Sequence, residues 1–157
     1  VWRTRIVYLL YSGRASEALS ILGNAEERPF DVPPDVIEAA SATAKTLTGQ
    51  ISRKEGIAAN LSFLKTDPGR ALAVAQACAA MGDAATSFDL LGGYYFREGS
   101  WAALSPSAGD QDRQTSPLFQ PPMQGLWTDN RFAALVRRIG LQDYWRDSGT
   151  RPDYMRV

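Results

Sequence analysis

Four glutamates, Glu17, Glu26, Glu27 and Glu38, are the first side chains to weigh for chemistry, because two carboxylates facing one substrate can divide acid and base duties. No two of them are spaced toward a shared site, and solvated faces account for them. The chain has no histidine, which removes Ser-His-Asp and Cys-His nucleophile pairs, His general bases and His-ligated zinc. Cys78 is the single cysteine, so neither an intrachain disulfide nor a Cys-rich metal site can form. It lies in an Ala-rich stretch, where a small buried thiol is expected; a reactive thiolate would want exposed basic neighbours. Ser105-Pro106-Ser107 and Gly92-Gly93 match no nucleophile elbow and no phosphate-cradling loop. These residues predict no catalytic group, no cofactor and no bound metal.

The aromatic residues say more. Tyr8, Tyr11, Phe88, Tyr94 and Tyr95 recur at helical spacing, which predicts core positions for most of them. Tyrosine is also a favoured anchor in protein recognition. Charge points the same way. Lys plus Arg is 17 and Asp plus Glu is 17, a net charge of zero, whereas phosphate contacts need an excess of cations. Direct nucleic-acid contact is therefore not expected. No apolar run approaches membrane-spanning length. A chain without disulfides suits the cytoplasm, and the periplasm stays open if the parent is a membrane-anchored regulator. The start, Val-Trp-Arg-Thr-Arg, has no initiator Met and falls inside a helical pattern, so the chain reads as a piece of something longer.

Helices must position whatever these residues do. Apolar spacing predicts helices over 2–12 and 15–23, separated by Ser12-Gly13-Arg14. Asn24 to Pro34 reads as a loop, and helices follow over 35–48 and 51–65, the second with Gly56 as a weak point. Asp67-Pro68 opens a small-residue helix over 69–81, and 84–97 follows Gly82-Asp83. Gly92-Gly93 marks close packing or a kink. Residues 99–121, rich in Ser, Gly, Pro and Asp, read as a long loop. Thr128 or Asp129 then caps a helix over 130–139 that Gly140 ends, and 141–147 adds a short turn before an extended tail.

The turn glycines Gly13, Gly49 and Gly82 follow one another at 36 and 33 residues. Tetratricopeptide units recur about every 34 residues as helix–turn–helix pairs. Gly13-Arg14-Ala15-Ser16-Glu17-Ala18-Leu19 resembles the start of that family's second helix. Gly82-Asp83-Ala84-Ala85-Thr86-Ser87-Phe88 resembles it less fully, and the middle unit puts Lys54 where a small residue is expected. Ala18, Ala71, Ala75 and Ala79 suit close helix crossings. An irregular helical bundle with chance glycine spacing is the alternative. Leu126-Trp127-Thr128-Asp129-Asn130-Arg131-Phe132, with Leu135, Arg138 to Leu141, Tyr144-Trp145 and Arg151-Pro152-Asp153, resembles the closing segment of bacterial tetratricopeptide proteins, many of them winged-helix regulators or signalling proteins.

The expected fold is all-α: repeats over 1–98, a loop-rich linker over 99–121, and capping helices and tail over 122–157. The resemblance implies a non-catalytic module that binds another protein or peptide, with homodimerisation and a purely structural role as the alternative. It places Arg3, Val7, Tyr11, Thr43, Leu47, Leu72 and Gln76 on first helices facing a concave groove. Phe132, Leu135, Tyr144 and Trp145 form a cap over the last repeat, with Phe132 and Trp145 docked on the helix of Phe88, Leu91 and Tyr95. A subunit interface is the other use for that cluster.

Overall fold

The computed structural model describes residues 1–104, 114–150, 152 and 154, and every regular element among them is helical. The α-helices are α1 (Trp2–Tyr11), α2 (Ala15–Gly23), α3 (Pro34–Leu47), α4 (Arg53–Thr66), α5 (Ala71–Ala80), α6 (Ala84–Phe96), α7 (Asn130–Ile139) and α8 (Leu141–Ser148). Short turns fold α2 onto α1, α4 onto α3 and α6 onto α5, and α2 meets α3 as α4 meets α5. The turn glycines carry the reversals: Gly13, Gly49 and Gly82 have φ of 78°, 73° and 81°, a left-handed conformation that a side chain disfavours. Asp67 precedes a 3₁₀ turn, Pro68–Arg70, that leads into α5.

The middle pair resolves the apparent misfit of Lys54. Its turn is two residues longer than the others, and α4 is started by a capping box in which Ser52 and Glu55 exchange hydrogen bonds. The fourth residue of each second helix is then Ala18, Gly56 or Ser87, all small and all buried. Gly56 is thus a close-approach residue and not a weak point. A Cβ there would collide with the Thr46 hydroxyl on α3 and lie 2.9 Å from Met81 Sδ. Ser87 keeps its hydroxyl satisfied by donating to Ala75 O at 2.9 Å. Gly93 plays a similar part, since its Cβ would meet Trp101 O at 2.5 Å. That approach seats the kinked 3₁₀ turn Gly99–Leu104 against α6.

Apolar side chains gather into two clusters. Ile6, Leu9, Leu10, Ala18, Leu22, Val32, Ile37 and Ala44 join α1, α2 and α3. The larger cluster runs from Ile57 and Leu64 through α5 and α6 to the C-terminal segment. The stretch over 99–121, read from sequence as a long loop, contributes Leu118 to it. Two 3₁₀ turns, Ser116–Phe119 and Pro121–Leu126, bury Leu118, Met123 and Leu126. Residues 105–113, including Ser105-Pro106-Ser107, and residues 151, 153 and 155–157 of the expected tail lie outside the described residues.

The C-terminal cover is built from the helix signals in its sequence. Asp129 accepts from the Arg131 backbone N–H at 2.8 Å and caps α7, and Gly140, at φ 93°, ends it. Phe132 and Val136 are fully buried. Phe132 belongs to the large cluster that also holds Leu91 and Tyr95, and Trp145 packs against that cluster. The Trp145 ring meets Phe119 and Tyr154, with ring centroids 5.8 Å from each. Two arginines fasten α7 to α6: Arg131 lies over the Phe88 ring at 4.4 Å and Arg138 over Phe96 at 3.9 Å. Arg138 also grips Glu98 with both of its terminal nitrogens, which holds that carboxyl below its usual range.

Candidate partner-binding cleft

The first helices of the three pairs, α1, α3 and α5, wall a cleft of about 210 Å³. Its lining is mainly apolar: Ile6, Val7 and Leu10 from α1, Val36 and Ala40 from α3, Phe63 from α4, and Val74 from α5. The reason lies in helical spacing. Positions 3, 7, 10 and 11 of α1 fall on one side of the helix and line the cleft together.

A polar spot interrupts this lining. Asn60 Nδ2 donates to Thr43 Oγ1 and to Gly56 O, both at 3.0 Å, while Thr43 Oγ1 donates to Ala39 O at 3.0 Å. Among the described residues no donor reaches the Asn60 carbonyl oxygen. The Trp2 indole N–H, buried in the same lining, finds no acceptor among the described residues. One acceptor and one donor are therefore left for whatever enters, the complement of a peptide group. Arg3 and Arg70 supply the only charges in the lining. Arg3 donates to Asp31 O at 3.0 Å, and Arg70 Nε lies 3.0 Å from Asp67 Oδ2, so both are tethered at the rim.

Leu10 and Tyr11 carry the cleft into a second, wider hollow of about 750 Å³. Its near side is the α1–α2 turn with Leu47 and Thr48, and its far side is the end of α5 with Pro121, Pro122, Gln124 and Gly125. Burial pushes the Tyr11 phenol above its ordinary value, and the Cys78 thiol on α5 adds to the effect. The Cys78 thiol is itself pushed up to about 12, by burial first and by Asp83 second. Such a thiol is neutral and enclosed, without the basic surroundings of a nucleophile.

Arg3, Val7, Tyr11 and Thr43 thus line one cleft, and Leu47 lines the adjoining hollow. Leu72 and Gln76 do not join them. Leu72 packs against the large apolar cluster. Gln76 is covered by the C-terminal segment, donating from Nε2 to Pro117 O at 3.0 Å and to Gln120 Oε1 at 2.8 Å. Repeat spacing put Gln76 on the inner face without showing that the chain folds back over that face. Asn60, Phe63 and Trp2 were not singled out for the cleft. Asn60 is one turn beyond Gly56 on α4, so the small residue that brings α4 close to α3 also aims it inward.

Among the described residues no group of His, Cys, Asp or Glu could hold a metal ion. No described helix is long and apolar enough to cross a membrane. No family model, curated protein or solved structure matches the chain.

Proposed function

We propose that the chain is a tetratricopeptide-like, non-catalytic interaction module, part of a larger bacterial regulator or signalling protein, that holds an extended peptide segment in the cleft of α1, α3 and α5. The observation that carries this reading is the pairing of an apolar lining with one buried, unmatched donor, Trp2 Nε1. A cleft that served only packing would have no use for that group, since a buried polar atom without a partner costs free energy. The equivalent small residues Ala18, Gly56 and Ser87 support the repeat reading. The regulator assignment rests on the resemblance of residues 126–153 to the closing segments of such proteins.

The test is selection from a random dodecapeptide library displayed on phage. The expected result is enrichment of apolar peptides whose binding is lost in Val7→Asp, a change at a half-exposed position that leaves the core alone. No enrichment, or enrichment indifferent to Val7→Asp, overturns the reading.

Self-association has its own supporting observation. Phe30 is fully exposed in the α2–α3 loop, and Tyr8 is 63% exposed on α1. Size-exclusion chromatography with light scattering separates the two readings: a mass that stays at one chain across a hundredfold range of concentration sinks self-association.

A further inference from the structure

Tyr154 lies among four other aromatic rings. Its centroid is 5.3 Å from Phe119, 5.9 Å from Trp127, 5.6 Å from Phe132 and 5.8 Å from Trp145. The Phe119 ring is stacked on it, and Phe132 presents an edge. The four box residues come from the Ser116–Phe119 turn, the end of Pro121–Leu126, α7 and α8, so their backbone is fixed by the C-terminal cover. Trp127 is held further by its indole N–H, which donates to Leu118 O at 3.0 Å. Tyr154, by contrast, lies beyond α8 in the chain, and among the described residues it meets the box through these ring contacts. Beside it the box opens into a hollow of about 590 Å³, lined by Thr115, Leu141, Tyr144 and Pro152 among others. Tyr144 is 63% exposed there, so the chain's own tail leaves part of the hollow unfilled.

We propose that this box is a second docking socket, separate from the α1–α3–α5 cleft, whose partner is a peptide carrying tyrosine or phenylalanine two residues after a proline. Tyr154, which follows Pro152 at that spacing, occupies it in cis as a resident ligand. Rigid aromatic rings offer large contact area to another ring at low entropic cost, and that is what makes such residues anchors. The resident competes with any incoming peptide from a high effective concentration, because only a few residues link it to α8.

The probe is a fluorescein-labelled peptide of residues 150–157, read by anisotropy against the full chain and against the full chain carrying Tyr154→Ala. Tyr154→Val, which keeps more apolar bulk, is the second host. Saturable binding is expected to both emptied hosts, weaker by roughly tenfold or more to the unchanged chain, and absent for a peptide whose tyrosine is replaced by alanine. Adding Trp145→Ala to either host is expected to abolish binding. Failure of both hosts to bind, equal binding by the unchanged chain, or loss of helicity in both hosts by circular dichroism overturns the proposal. The last result would make Tyr154 a core residue.

Discussion

The two ends of the helical array are finished in different ways. At the C-terminal end a cover of 3₁₀ turns and α7 closes over α5 and α6, and Leu118, Met123, Phe132 and Val136 are fully buried beneath it. At the other end α1 buries Ile6, Leu9 and Leu10 but leaves Val7 51% and Tyr8 63% exposed. The covered end is cemented by aromatic rings and guanidinium–ring contacts, whereas the buried residues of the α1–α3 cluster are aliphatic, with Trp2 and Tyr11 packed against them.

The largest break in that comparison is expected from Phe132→Ala. Truncating a buried phenylalanine costs about 3–5 kcal/mol, whereas Tyr8→Ala, at an exposed site, should fall within about 0.5 kcal/mol of the parent. Urea unfolding followed by circular dichroism measures both, and equal losses would erase the asymmetry. Gly56→Val comes next. Its side chain would strike Thr46 and Met81 where the two clusters adjoin, and overpacking of this kind costs about 1–3 kcal/mol. Thr46→Ala in the same chain should recover part of the loss.

Gly13→Val and Gly82→Val sharpen the comparison. Both glycines have φ near 80° and no close clash, so each should lose about 1 kcal/mol or more through backbone strain alone. Similar thermal shifts would show that the two turns are equivalent even though the two ends are not. The smallest effect concerns acid. Arg131 beside Asp129 holds that carboxyl down at about 2. A carboxyl depressed on folding stabilises the folded state above its ordinary value near 4, and that contribution disappears as pH falls toward 2. Carboxyl carbon shifts in an NMR titration should place the Asp129 midpoint near 2, and Arg131→Ala should raise it.

Much of this fold is legible in the sequence, because its signals are local. Apolar periodicity and turn glycines place all eight α-helices within two residues of their ends, and Asp129 and Gly140 mark α7 at both termini. What escapes is whatever depends on distant neighbours. Gly56 looks like a helix defect until α3 is laid across it. Leu118 sits among residues that spell a loop, yet with Met123 and Leu126 from the next tight turn it is buried in the core. The cleft was half legible: alignment to the repeat pattern grouped Arg3, Val7, Tyr11 and Thr43, but the fold-back that removes Gln76 joins residues 41 and 44 apart in sequence.

The hollow beyond Tyr11 has walls that belong to different clusters. Ala15 belongs to the α1–α3 cluster and Ala79 to the larger one, with Pro122 and Gln124 following Gln120, which Gln76 holds. Its width is therefore a jaw gauge: a tilt of one cluster against the other would change it. An object wedged between the jaws resists that tilt, and a load that pries the clusters apart loosens the grip. Spin labels on Ser16 and Gln124 would read the opening directly, as a distance that narrows in spread when the jaws are filled.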